Sequence, residues 1–129
     1  MACPRCGSSV VAFVVPDELL EHAPARETAI CTRCLSTSPA NAAGGNRNGR
    51  APADLAAVDA AFPDGEAGVA LALACGLLGS FALHRASIET LLEHAERNGA
   101  DVFLFVDRLD ADDAHFDLER RRAALLDTL

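Results

Sequence analysis

The sequence predicts an α+β chain, a small strand-built unit at the front followed by an all-α unit. Three observations predict it. Two C-x-x-C pairs lie near the front, a β-branched run separates them, and beyond residue 52 the apolar residues recur at helical spacing. A chain of 129 residues has room for one ordinary domain or two very small ones.

The front elements follow in order. Val10 to Val15 (VVAFVV) is β-branched and stops at Pro16, which reads as a strand leaving the first pair. Asp17 is placed to cap a short turn through Leu19, Leu20 and Glu21. Thr28 to Ile30 returns as a strand into Cys31, and Leu35 to Ser38 forms a third that ends at Pro39. Residues 40–51 hold Gly, Asn and Arg with no apolar period, which predicts a flexible linker. The expected layout is therefore 1–39, a linker at 40–53, and 54–129.

The rear unit reads as helices. Pro52 is expected to open one carrying Leu55, Val58 and Phe62 and ending at Pro63. Asp64 then caps a long apolar helix, with Glu66 favourable in its first turn. Ala72 and Gly76 offer that helix a smooth strip for close approach by another helix. Ile88, Leu91, Leu92 and Ala95 make an amphipathic stripe that stops at Asn98-Gly99. Asp101 caps Val102 to Leu109, and a last helix runs from about Phe116 to Asp127. No internal repeat is visible.

The cysteines carry the chemistry. Cys3 and Cys6 form one pair, Cys31 and Cys34 the other. Zinc takes four soft or borderline ligands in a tetrahedron, and two intervening residues let a tight turn aim both sulfurs at one ion. Gly7 suits the turn after the first pair, because that position often needs a positive φ; the second pair has Leu35 there instead. The 24 residues between the pairs exceed the usual spacing of about 15–20, at little entropic cost. Cys3, Cys6, Cys31 and Cys34 are thus the candidate ligands of one structural Zn2+, and the front reads as a zinc ribbon. Iron in the same four-thiolate cage is the competing ion. A thioredoxin-type motif would need a strand before Cys3, which has two residues ahead of it. Cys75, in the middle of an apolar run, reads as a core residue.

Charge narrows the function classes. All 11 basic residues are Arg, set against 19 acids, for a net −8. Residues 1–39 carry −1, residues 40–53 carry +2 through Arg47 and Arg50, and residues 54–129 carry −9. So acidic a rear half argues against non-specific nucleic-acid binding through it. It suits a cell whose salt screens self-repulsion, which points to a halophile. A C-x-x-C at residue 3 leaves no room for an export signal, so the expected location is cytoplasmic. The apolar run Gly68 to Leu83 would span about 24 Å as a helix, short of the roughly 30 Å of a hydrocarbon core.

Other constellations fail on spacing. Counting an EF-hand loop from Asp110 puts Ala114 and His115 where a ligand and Gly are needed, so Asp107, Asp110, Asp112 and Asp113 read as an acidic turn. Arg120, Arg121 and Arg122 fan around a helix and read as surface pairing. His22, His84, His94 and His115 are scattered. The stretch 65–68 (GEAG) lacks the Lys of a phosphate loop.

With these motifs in view, the chain resembles an uncharacterised haloarchaeal family of small zinc-ribbon proteins. The resemblance rests on the C-P-x-C-G start, VPDEL at 15–19, AICTRCL at 29–35, FPDGEAGVALALACGLLGS at 62–80 and FDLERRR at 116–122, and it runs over nearly the whole chain. It implies a haloarchaeal cytosol and four Cys ligands, and it implies no activity. The expectation is a non-enzymatic protein with no catalytic residues and no membrane segment. Its partner would be another protein, or a second copy through the helical part. The alternative is a nucleic-acid-associated ribbon, for which the front offers only Arg5, Arg26, Arg33 and Phe13.

Overall fold

A computed structural model describes residues 2–43, 54–111 and 113–128. The architecture is α+β. Three antiparallel strands, β1 (Val10–Val14), β2 (Glu27–Cys31) and β3 (Thr37–Pro39), form a sheet in the order β1-β2-β3. Val10 faces Cys31, Phe13 faces Thr28, and Thr37 faces Ile30. Alternation along a strand splits the sheet into two faces. Phe13 and Ile30 enter the main core, whereas Val10, Ala29 and Cys31 join a small cluster with Cys3 and Cys34. Burial on both faces is why VVAFVV reads as a nearly unbroken apolar run.

Between β1 and β2 a 3₁₀ turn spans Asp17–His22. Pro16 takes its cap position and Asp17 lies within it, paired to Arg26 at 2.8 Å. A further 3₁₀ turn, Ala40–Ala43, occupies the start of the expected linker, with Ala40 buried. Arg47, Arg50 and Pro52 lie outside the described residues, as does Asp112.

The helix expected to start at Pro52 is replaced by a 3₁₀ turn, Leu55–Ala57, and irregular backbone. The Asp59 carboxylate accepts the Ala61 N–H at 2.8 Å and the Asp110 N–H at 3.2 Å. Such side-chain bonding competes with the helical ladder. Leu55 and Phe62 are nevertheless buried, so the apolar positions were informative even though the element was not.

Four α-helices follow among the described residues. Helix α1 (Gly65–Leu77) is buried continuously from Ala67 to Cys75 and forms the centre of the molecule. Asp64 occupies its cap position without a side-chain hydrogen bond, and Glu66 reaches His94 at 2.8 Å. Helix α2 (Arg85–Arg97) buries the expected Ile88, Leu91, Leu92 and Ala95, and its Arg85 holds Glu89 at 3.2 Å. It closes with Gly99 at φ 93°, the Gly99 N–H on Glu96 O and the Ala100 N–H on Ala95 O, a Schellman stop. Helix α3 (Val102–Arg108) is capped by Asp101, whose carboxylate accepts the Leu104 N–H at 2.9 Å. Helix α4 (Leu118–Thr128) starts two residues later than expected, where the Asp117 side chain accepts the Arg120 N–H. No helix among the described residues is long and apolar enough to cross a membrane.

One buried cluster joins Phe13, Val15, Leu19, Ile30 and Leu35 at the front to residues of all four helices. The seam is tight at Gly76. A Cβ there would lie 2.0 Å from Thr37 Oγ1, so it is β3, and not another helix, that uses the small-residue position on α1. Gly68 is confined in the same way, since a Cβ on it would sit 2.1 Å from the Pro63 carbonyl oxygen.

Candidate metal centre

Each cysteine pair sits in a tight turn, and the two turns repeat one another. In the first, the Cys3 N–H donates to Ser8 O at 2.8 Å and the Arg5 N–H to Cys3 Sγ at 3.3 Å. In the second, the Cys31 N–H donates to Ser36 O at 3.0 Å and the Arg33 N–H to Cys31 Sγ at 3.3 Å. Both end in a left-handed residue, Gly7 at φ 80° and Leu35 at φ 62°. That conformation costs a non-glycine residue about 1–2 kcal/mol. Leu35 is fully buried in the main core, and full burial of a Leu contributes about 1.5–3 kcal/mol. Burial therefore holds the second turn where glycine's freedom shapes the first.

The two turns bring their sulfurs together. The four Sγ atoms of Cys3, Cys6, Cys31 and Cys34 lie within 4.8 Å of one another. Cys3 Sγ is 3.8 Å from Cys34 Sγ, and Cys6 Sγ is 3.4 Å from Cys31 Sγ. A tetrahedron of sulfurs about 2.3 Å from a central zinc has edges of about 3.8 Å. The thiol set therefore fits one tetrahedral metal ion, in both donor chemistry and spacing. Cys3, Cys31 and Cys34 are buried and Cys6 is exposed. Among the described residues, this is the one group of three or more Cys, His, Asp or Glu side chains placed to hold a metal.

Hydrogen bonds tune the thiols. Burial alone would raise Cys3, but the Ser36 hydroxyl, the Cys6 and Arg5 backbone N–H groups and Cys34 outweigh it and bring it from 9.0 to about 6. Cys6 is also lowered, first by the Ser8 side chain. Cys31 is pushed up to about 12, chiefly by burial. The Ser36 hydroxyl lies 3.0 Å from Cys34 Sγ and 3.4 Å from Cys3 Sγ.

The two serines expose a pattern that cysteine spacing alone does not show. Residues 3–8 (CPRCGS) and 31–36 (CTRCLS) share the form C-x-R-C-x-S, so the chain does contain a short internal repeat. Its third residue is Arg, its sixth a serine that supports a thiolate. Aligning the two pairs on each other makes both legible.

The C-terminal loop closes over the second turn. The His115 N–H donates to Cys34 O at 2.7 Å, and Arg33 pairs with Asp113 at 2.8 Å. The His115 ring also donates from Nε2 to Cys75 O at 3.1 Å, since a carbonyl can only accept. Nothing in the spacing of residues 31–34 and 113–115 announces this contact.

The remaining candidates go elsewhere. Cys75 is buried in the core and pushed up to about 12 by burial, with Asp59 adding to the shift, so it is held as an unreactive thiol. Arg121 donates to Leu78 O at 2.9 Å and lies over the Phe81 ring, and Arg122 donates to Val106 O and Leu109 O. Two members of the basic run thus satisfy backbone carbonyls inside the fold as well as facing solvent. His22 is not among the sulfur cluster's neighbours that could hold a metal.

A family model described as "Family of unknown function (DUF6276)" matches residues 2–129. No curated protein and no solved structure matches the chain.

Proposed function

Because the chain belongs to that family, whose description carries no activity, we propose a function from the geometry of the chain itself. It is a small, non-enzymatic zinc-binding protein whose four-thiolate site is structural and whose role is to bind a protein partner or a second copy of itself. Its setting is the salt-rich cytosol of a haloarchaeon, for which the support is a net charge of −8 carried with 11 Arg and no Lys.

The observation that carries the reading is the sulfur cluster itself. Cys3, Cys6, Cys31 and Cys34 supply all four positions of a tetrahedron, which leaves none for a reactive water. Zinc is the ion this reading assigns, and iron in the same four-thiolate cage is its competitor. The partner surface is best supported at α3, where Phe103 is 59% exposed and Leu104 39% exposed beside one another. The nucleic-acid alternative draws less support, since Arg26 and Arg33 are engaged by Asp17 and Asp113.

Metal analysis and absorption spectroscopy of protein purified at native salt test the choice of ion. One equivalent of colourless zinc is expected, and an iron–thiolate absorption band would overturn it. Molar mass in solution and affinity capture, each repeated with Phe103→Ser, test the partner. A partner or dimer lost with that substitution is expected; a monomer that captures nothing reproducibly would sink the reading.

A further inference from the structure

A groove of about 260 Å³ runs between the first cysteine turn and the C-terminal end of α1. Arg5, Thr37, Ser80, His84 and His115 line it, together with Ser36 and two glycines. Among the described residues no carboxylate lines it, although the chain holds 19 acids against 11 bases. Three of its side chains are basic or can become so.

We propose that this groove binds a small oxyanion, a phosphate or carboxylate carried on a small molecule, with the Arg5 guanidinium as its principal anchor. The internal repeat supplies the argument. Arg5 and Arg33 hold the same place in C-x-R-C-x-S. Arg33 grips the carboxylate of Asp113 at 2.8 Å. Arg5 lines the groove, and its guanidinium has no hydrogen-bond or ion-pair partner among the described residues. One half of the repeat is satisfied by an oxyanion from the chain, and the other half lacks one. A guanidinium offers paired donors matched to carboxylate or phosphate oxygens.

The other walls agree. The hydroxyls of Thr37 and Ser80 and the His84 ring likewise have no protein hydrogen-bond partner among the described residues. Arg5 and the His115 imidazole line the same groove. The ring rests against Gly79, where a Cβ would come within 3.0 Å of Nδ1. A volume just under the roughly 300–1,000 Å³ of drug-sized sites suits a small anion, not a polymer. The inference goes beyond the zinc reading, because it needs neither a protein partner nor a particular metal.

A simpler role for these cations is to offset the negative charge of four thiolates around a divalent ion, and the experiment separates the two. Metal-loaded protein is titrated with inorganic phosphate, and separately with acetate, at constant ionic strength set by chloride, and followed by amide NMR. Saturable shifts around residues 5, 37, 76–80, 84 and 115 are expected for at least one anion. Arg5→Gln, checked for unchanged metal content, should weaken that binding about tenfold or more. Ser80→Ala should weaken it less, and Arg108→Gln not at all. Linear shifts indistinguishable from added chloride, or binding unchanged by Arg5→Gln, would overturn the proposal in favour of charge balance. Saturable binding of a single-stranded oligonucleotide with none of phosphate or acetate would overturn it in favour of a nucleic-acid surface.

Discussion

The two ends of the molecule are held by different chemistry. At the cysteine end, the buried cluster is Cys3, Val10, Ala29, Cys31 and Cys34, so most of its members are thiols. At the helical end, α1 is buried along most of its length among Leu91, Leu92, Phe105 and Val106. A Val and an Ala bury too little surface to order two turns, whereas the helical cluster is large enough to order a domain. The sheet joins them, because one face of β1 and β2 carries Val10 and Cys31 and the other carries Phe13 and Ile30. A metal ion bound at one end is therefore connected, through two strands, to a core it never touches.

The harshest way to break this comparison is to remove a ligand. Cys31→Ala should reduce metal from one equivalent to almost none. Structural zinc contributes about 10–16 kcal/mol in small zinc-finger peptides, as much as the whole stability of a typical domain. Thermal unfolding followed by the far-UV helical signal should show a much lower midpoint, because Phe13, Ile30 and Leu35 share the helices' core. A helical transition left at the wild-type midpoint would mean that the two ends are uncoupled.

The seam can be tested more gently at Gly76. Alanine there brings a Cβ to 2.0 Å from Thr37 Oγ1 and 2.9 Å from Thr37 Cβ. Overpacking of this kind costs about 1–3 kcal/mol. Helix propensity works the other way, favouring Ala over Gly by about 1 kcal/mol. Denaturant unfolding of Gly76→Ala should show a net loss, partly recovered when Thr37→Ala is added. A gain of stability in the single variant would show that β3 does not press on α1.

Much of this was legible beforehand, for physical reasons that differ by region. The four cysteines, the strands and the helices α1 to α4 announce themselves through ligand spacing, β-branching and apolar period. The segment 52–63 misled because its period was right, while Asp59 offered the backbone a competing partner. Leu35 looked like a departure from the turn pattern, yet it adopts the same left-handed backbone as Gly7 because the core receives its side chain. The contacts of His115 with Cys34 and Cys75 join residues far apart in the chain, and local pattern carries no signal for those.

Ser36 sharpens the comparison at the metal end. Its hydroxyl is the leading influence that overcomes burial at Cys3 and holds that thiol near 6 against an ordinary 9.0. A lowered pKa contributes stability that is complete above the unfolded value and lost as pH falls through the folded one. Ser36→Ala should therefore raise the Cys3 pKa and move the onset of metal loss on acidification to higher pH. Support of this kind for a metal ligand is typically worth 10–100-fold in affinity, roughly the drop expected in a chelator competition at neutral pH. Unchanged affinity and unchanged acid sensitivity would remove Ser36 from the site.

The last test lies at the far end, and its value is in what it leaves alone. Arg122 donates to Val106 O at 3.0 Å and to Leu109 O, the carbonyls that close α3, and pairs with Glu119 at 2.6 Å. Helix α4 places only Leu125 fully in the core, so this polar clasp is a large share of what fastens it. Arg122→Gln should cost about 1.5–3 kcal/mol, the range for charged hydrogen bonds, and should speed amide exchange in α4 first. Metal affinity should not change, because no cysteine depends on that clasp. If affinity fell in step with the exchange, the loop from Asp113 to His115, whose His115 N–H donates to Cys34 O, would be transmitting the loss to the metal site.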